Sequence, residues 1–513
     1  MSALGFLFNL SITPVYTILG IIFAIFSLVY FTICINKLDK KILLAEGIFL
    51  FNFLLICGLI SYFLVDISYD GSTYHLASVV YLKTGWNPIY ESIYNFANSQ
   101  NFQFPFTLEY VEYFLKGYEI LGANIYSVFD KIELTKILKF IFCLIAFCYA
   151  YYTLKKYKLS DLKTYILSFA FVFNPVCAYQ FASNYVDDVF YYLFLVLIFS
   201  LINICRNIDV KYSIVIYFVS GLLLANVKLT GMVTFLLLSV IFLIVFKSKD
   251  LLKILLVSLF VILLTGINPY IINVMEGNNP FYPIVKESFF NANREYMITS
   301  YPSGFENKNR FEKFFISNFS CSQNLSPLLN NDAPTLKLPF LINKDEMFHL
   351  EDMRVGGFGY FFSGILILSI VLSIFLKFSN KEDKKLFFTL IFAIIMSVFI
   401  NHEAWWARFV PQFWALPLFI CFYTFIQAGV SLKIKVLQWF IILVCFINSS
   451  IVMYQYATLH YKASKAYFEA LEAYKNYPEI YFSYKQLDEN RLLQIYQIRL
   501  KEIGLKTFFI NDK

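Results

Sequence analysis

Long apolar runs separated by short polar stretches dominate the sequence, and no sustained alternation of period two appears. An apolar run of about 17 to 25 residues is what a helix needs to cross the hydrocarbon core of a bilayer. Twelve runs fit, at 14–36, 43–65, 134–154, 163–180, 185–205, 212–227, 229–246, 252–274, 356–376, 386–400, 411–430 and 436–456, the fourth, sixth and tenth being short. The pattern therefore predicts an all-α polytopic membrane protein with about 12 transmembrane helices. The first 35 residues lack a basic start and a small-residue cleavage site, so the first run reads as a span and not as a cleaved signal.

The charges orient these spans. If successive loops alternate sides, one set collects the lysines and arginines near 37–41, 155–163, 206–211, 247–253, 377–385 and 433–435. The short loops of the other set, near 178–187, 226–229 and 401–411, hold only Lys228 and Arg408. The excess of positive charge marks the cytoplasmic side, which predicts that both termini lie outside. Two long outer loops follow, 66–133 and 275–355. The organisation expected is a transmembrane domain over 1–456 and a small extracytoplasmic C-terminal segment over 457–513, which ends in a strand-like Thr507-Phe508-Phe509-Ile510. No internal repeat of the kind found in secondary transporters is visible.

Composition agrees with this reading. The chain is 59% hydrophobic, 20% aromatic and 15% charged, which excludes a string of soluble domains and excludes disorder. Its net charge of +7 does not indicate a nucleic-acid partner, because the basic residues lie in short loops between spans and not on one face. Nine cysteines without a C-x-x-C pair, and histidines scattered at His75, His349, His402 and His460, indicate neither a disulfide framework nor a zinc site.

Candidate chemistry gathers at the outer ends of the spans. Asp66 and Asp70 are four residues apart, so a helix continuing through them places both, with Tyr74, on one stripe above the membrane. Carboxylates at that depth cost free energy unless hydrated or paired, which makes them site candidates; the alternative is that Asp70 caps a helix over 72–84. Further on, Phe104-Pro-Phe-Thr-Leu-Glu109-Tyr-Val-Glu112-Tyr reads as an aromatic amphipathic helix in the interface, with Glu109 and Glu112 as possible site residues. Lys228 and Arg408 suit an anionic headgroup, Lys as a point charge and Arg as a bidentate donor, unless each merely snorkels. Asn401-His402-Glu403-Ala-Trp405-Trp406-Ala-Arg408 sets an acid, an imidazole, two indoles and a guanidinium within one short loop. Indole faces serve as sugar platforms as well as interfacial anchors, so Glu403, Trp405 and Trp406 join the candidates, while His402 reads as structural. Glu46 snorkels from a span end, and Asn174-Pro175 and Asn268-Pro269 are expected to kink or end helices.

Asp70-x-x-x-Tyr74-His75-Leu76, followed by Gly85 and by Phe104-Pro-x-x-Leu-Glu109-Tyr, resembles the first outer loop of bacterial GT-C glycosyltransferases, the group of the protein O-mannosyltransferases and the lipid A aminoarabinose transferase. Gln180-Phe-Ala-Ser-Asn-Tyr-Val-Asp187-Asp188, Ala225-Asn226-Val-Lys228-Leu-Thr-Gly231 and Asn279-Pro-Phe-Tyr-Pro283 extend the likeness over about the first 285 residues. Gly71 departs from it, since a second acidic residue commonly stands there. The resemblance implies a lipid-phosphate sugar donor bound from within the membrane and transfer on the outer side of a bacterial cytoplasmic membrane to a glycan, lipid or protein. It implies Asp70 as catalytic base, Asp187 or Asp188 as a second acidic group, Lys228 as the donor-phosphate contact, and Tyr74 and His75 as part of the site. A divalent cation, Mg or Mn, held by Asp70, Asp187 and Asp188 stays open.

Two other readings are distinguishable. An O-antigen or capsule polymerase of similar topology would rely on Arg294, Arg310, His349 and Arg354 in the second loop. A transporter or flippase of lipid-linked glycans would place charge at mid-membrane depth, whereas here the charges collect at span ends.

Overall fold

The computed structural model describes the chain except residues 1, 31–39, 101–103, 105–106, 284–300, 326–331, 345, 347, 349, 379, 484, 487–492 and 511–513. It is an all-α membrane-protein fold. In chain order the helices used below are α1 (Pro14–Val29), α2 (Lys40–Phe63), α3 (Leu76–Lys83), α4 (Leu108–Tyr113), α5 (Gly117–Phe129), α6 (Ile137–Lys155), α7 (Asp161–Val172), α8 (Asp187–Cys205), α9 (Val210–Val227), α10 (Leu229–Phe246), α11 (Lys249–Thr265), α12 (Arg310–Asn318), α13 (Phe362–Ile374), α14 (Lys381–Phe399), α15 (Ala415–Phe425), α16 (Leu432–Tyr474) and α17 (Leu493–Lys501).

Among the described residues, six helices are long and apolar enough to cross a membrane, or seven if α11 and the bent segment after it count as one. Of the other apolar runs predicted as spans, those over 163–180, 252–274, 356–376 and 411–430 form shorter helices, for local reasons, and the run over 14–36 extends beyond the described residues. The run over 163–180 stops at Val172, because Asn174 accepts a hydrogen bond from the Val176 amide and Pro175 opens a separate short turn. The run over 252–274 bends by 88° after Thr265, at the Asn268-Pro269 step. α14 starts with five consecutive charged residues, which shortens its apolar part. α13 and α15 have 13 and 11 residues, about 20 Å or less at 1.5 Å per residue.

α8 is the centre of the bundle. Below its acidic first turn it is apolar nearly all round, apart from Ser200 and Asn203, and it is buried from Asp187 to Ile204, packing against α6 and α9. α2 is the opposite case, with most of its Leu, Ile and Phe side chains exposed, as expected of a helix that meets lipid. α16 runs unbroken for 43 residues, about 65 Å, so no structural break marks the expected boundary at 456. Strand β1 (Glu479–Ser483), α17 and strand β2 (Lys506–Ile510) follow, the strands pairing in parallel with Ile480 opposite Thr507. The end of α16 and this unit dock on the first loop: Ser464 Oγ of α16 accepts from the Val65 amide at 2.9 Å, Arg499 donates to the Asp66 carbonyl at 2.6 Å, and Glu502 accepts from the Ile132 amide at 2.8 Å.

Candidate functional site

α2 ends at Phe63, and the chain turns before re-entering helix as a five-residue π turn, Gly71–His75, that leads into α3. The break separates two carboxylates that the spacing had put on one stripe. Asp66 points inward and is fully buried, accepting from the Ser68 amide at 2.9 Å and from the amide and Nδ2 of Asn184 at 2.6 and 2.8 Å. Burial opposes its ionisation, but nearby Lys136 and the bonds from Ser68 and Asn184 outweigh that and hold the carboxyl below its usual value. A Cβ at Gly71 would stand 2.3 Å from both Asp66 Oδ2 and Ser68 Oγ, so this packing requires glycine. The space beside Gly71 is filled by the side chains of Asp66 and Ser68.

Asp70 does not cap the helix, since its side chain makes no capping bond. It reaches across the bundle instead: Arg408 Nη1 donates to Asp70 Oδ2 at 2.9 Å. The same guanidinium places Nε 3.0 Å from Asp352 Oδ1, and Arg354 stands 3.8 Å from the other oxygen of Asp352. Alongside, Lys228, between α9 and α10, pairs with Asp187 in the first turn of α8. Gln180 Nε2 bridges Asp187 Oδ2 at 2.9 Å and the Glu351 carbonyl at 3.0 Å, which ties α8 to the segment carrying Asp352. Aromatic rings back the cations: Arg408 lies 4.9 to 5.0 Å from the ring centres of Tyr185, Trp406 and Phe409, Arg354 lies 4.6 Å from Trp406, and Lys228 lies 4.8 Å from Phe409. Three carboxylates and three cations thus meet at the end of the bundle opposite the lysine-rich loops. The six side chains are 4 to 23% exposed, so the cluster borders accessible space.

The remaining candidates fall around this centre or away from it. The Tyr74 ring packs on His75, Tyr110 and Phe114 at 4.4, 5.4 and 5.4 Å. His75 Nδ1 is 2.5 Å from Glu119 Oε1, which orients the ring from α5. Asp188 turns away from Asp187 and pairs with Lys139 of α6 at 3.0 Å, because successive helical residues point about 100° apart. Glu109 is exposed and accepts from Tyr282 at 3.1 Å, while Glu112 is buried and accepts from the Ile93 amide. Glu403 has both oxygens engaged, by Tyr301 and by the Trp405 indole, inside an apolar cluster with Phe305, Leu325 and Val355. Trp405 and Trp406 are 1% and 3% exposed, so neither presents a free indole face as a sugar platform; the short loop folds back on itself to bury them. Arg310 donates to the Phe399 carbonyl at 2.7 Å, a capping role on α14, and Arg294 and His349 lie outside the described residues.

Asp352 escaped the sequence reading, and Arg354 entered it only under the polymerase reading. The signal was the run Glu351-Asp352-Met353-Arg354 directly ahead of an apolar stretch. Burial, reinforced by the negative charge of Asp70 and Asp187 and offset in part by Arg408 and Arg354, pushes the Asp352 carboxyl up to about 6. A divalent cation does not fit the predicted donor set. Asp70, Asp187 and Asp188 are each paired with a different cation, and among the described residues no three acidic, His or Cys side chains converge as ligands.

No family model and no curated protein matches this sequence. Among solved structures the chain is similar to ArnT from Cupriavidus metallidurans bound to undecaprenyl phosphate, at 13% identity and a TM-score of 0.43. The match covers 77% of this chain and 62% of that one, so the chain spans less than two thirds of its length.

Proposed function

We propose that the protein is a membrane glycosyltransferase that moves a sugar from a polyprenyl-phosphate-linked donor to a glycan, lipid or protein acceptor, at the outer face of a bacterial cytoplasmic membrane. The observation that carries this reading is the cluster of Asp70, Asp187 and Asp352 with Lys228, Arg354 and Arg408, drawn from separate segments to one end of an apolar bundle. Transfer from a lipid phosphate requires positive charge on the departing phosphate and a base beside the acceptor, and both residue types are present. Lys228 and Arg408 hold the donor phosphate. Asp70, drawn off Arg408 by that phosphate, becomes the base. The acceptor O–H proton passes to Asp70, the oxygen pair bonds the anomeric carbon, and the carbon–oxygen bond to phosphate breaks with its pair going to the phosphate. Tyr74, His75 and Glu119 shape the wall beside Asp70.

The helices favour the same orientation of the lipid. α10 starts next to Lys228, and α14 runs up to the segment carrying Arg408; the two pack together. Ile241, Ile244 and Val245 near the far end of α10, with Phe388, Thr389 and Phe392 around the middle of α14, line an apolar recess of about 310 Å³. An isoprenoid chain descending this seam would leave its phosphate at the cations.

Native mass spectrometry of the protein released gently from its membrane tests this reading. A co-purifying polyprenyl phosphate or phosphate sugar, lost in folded Lys228→Ala and Arg408→Ala, is the expected result. Absence of such a lipid while other lipids are retained, or equal retention in both variants, overturns it.

A further inference from the structure

The six charges of the cluster cancel one another. Arg408 is shared by Asp70 and Asp352, Arg354 faces Asp352, and Lys228 is taken by Asp187. A phosphate diester entering this largely desolvated group adds one negative charge, and its recruitment of the arginines strips compensation from the carboxylates they hold. An uncompensated charge in such surroundings is costly, and taking up a proton is the cheapest remedy. We propose that Asp352 takes up a proton as the phosphate binds, so that the site receives the anion without net change of charge. This rests on the reading that Arg408 holds a phosphate.

Geometry singles out Asp352 among the three carboxylates. Both of its cations, Arg408 and Arg354, are guanidiniums that a phosphate would recruit. Its Oδ1 has no well-aligned hydrogen bond despite lying 3.0 Å from Arg408 Nε. Asp187 keeps the Gln180 amide at 2.9 Å even if Lys228 moves, and Asp70 has to stay ionised to serve as base. The surroundings of Asp352 are specific. Asp70 faces it from the first loop, Asp187, Tyr185 and Tyr179 from the α8 side, and Arg408 from the segment after α14. Its neighbour Glu351 is occupied by His460 at 2.6 Å and Tyr456 at 3.0 Å from α16. The carboxyl is pushed up to about 6 before any anion arrives, so it stands close to accepting a proton at neutral pH. Loss of its arginine partners moves it further in the same direction.

Isothermal titration of the full-length protein in detergent with dioctyl phosphate, a diester whose single charge does not titrate between pH 5.5 and 8.5, reads the linkage directly. Titrations at pH 7 in buffers of different ionisation heat should report close to one proton taken up per phosphate bound. The dissociation constant should then rise about tenfold per pH unit above 6 and level off below it. Asp352→Asn should still bind, with uptake near zero and a flat pH profile, and Asp352→Glu should restore uptake with a shifted midpoint. If Asp352→Asn does not fold, an unshifted midpoint in Asp352→Glu overturns the inference by itself. Binding without proton uptake, or uptake retained in Asp352→Asn, overturns the role of Asp352 and leaves the phosphate site standing. No binding by the wild type, or binding unaffected by Arg408→Ala, overturns the phosphate site itself and this inference with it.

Discussion

Arg408→Ala should cost about 3 kcal/mol of stability at pH 7.5 and about half of that at pH 5, a figure interpolated from buried and exposed ion pairs. The substitution leaves Asp70 and Asp352 without the guanidinium that lies 2.9 and 3.0 Å from them. Breaking a fully buried pair costs about 3 to 5 kcal/mol, whereas an exposed pair is worth about 0 to 1. The side chains of Arg408, Asp70 and Asp352 are 12, 17 and 23% exposed, which places them toward the buried limit. Loss of the guanidinium from Tyr185, Trp406 and Phe409 adds about 0.5 to 1 kcal/mol. The pH dependence follows from Asp352. Its folded carboxyl titrates at about 6, above the unfolded range, so at pH 5 it is mostly neutral and Arg408 balances Asp70 alone. The deficit therefore narrows as pH falls. Equilibrium unfolding in mixed ionic and nonionic micelles at both pH values measures it, and adding Asp70→Asn and Asp352→Asn to the variant should recover most of the loss. A deficit below about 1 kcal/mol at pH 7.5, or one that does not change with pH, refutes the claim that Arg408 is the counter-ion of both carboxylates.

Gly71→Ala forces a Cβ against Asp66 and Ser68 and should destabilise by about 1 to 3 kcal/mol, whereas Gly47→Ala, whose Cβ meets nothing within 4 Å, should change little in the same unfolding assay; equal effects would show that the Asp66 turn yields freely. The tail should dock in a pH-dependent way through Glu502, whose carboxyl burial, with Glu133 adding and Lys131 and Arg499 offsetting, pushes up to about 7. Because that value is raised above the unfolded one, its contribution is full below about 4.3 and is lost as pH rises through 7. Hydrogen exchange of Leu493–Lys501, corrected for intrinsic rates, should accordingly be faster at pH 8 than at pH 5.5. In Glu502→Gln, which keeps an acceptor for the Ile132 amide, the difference should vanish; its persistence rejects Glu502 as the cause.

Several features were legible from local pattern. The apolar runs became the helices, the two Asn-Pro pairs ended or bent theirs, and Lys228 and Arg408 stood out as cations where loops otherwise avoid them. Other readings failed where a local rule met a distant partner. Asp66 and Asp70 have helical spacing, yet Asn184 and Glu133 draw the chain between them out of helix. Asp187 and Asp188 are adjacent in sequence, yet one faces Lys228 and the other Lys139. Trp405 and Trp406 have the composition of an exposed platform, but Tyr301, Phe305 and Val355 cover them.

The sequence by itself determined that this chain crosses a membrane as helices, which of its loops are basic, and which loop carboxylates and cations were unusual enough to suggest a site. Those properties are set within one or two turns of helix, by hydrophobic length, proline and charge. Only the tertiary structure decided that Arg408 belongs to both Asp70 and Asp352, that Lys228 belongs to Asp187, and that Gln180 joins the two pairs. The partners Asp70 and Arg408 lie 338 residues apart, and a charge selects its counter-ion by where the packed helix ends bring it, a matter on which spacing along the chain carries no information.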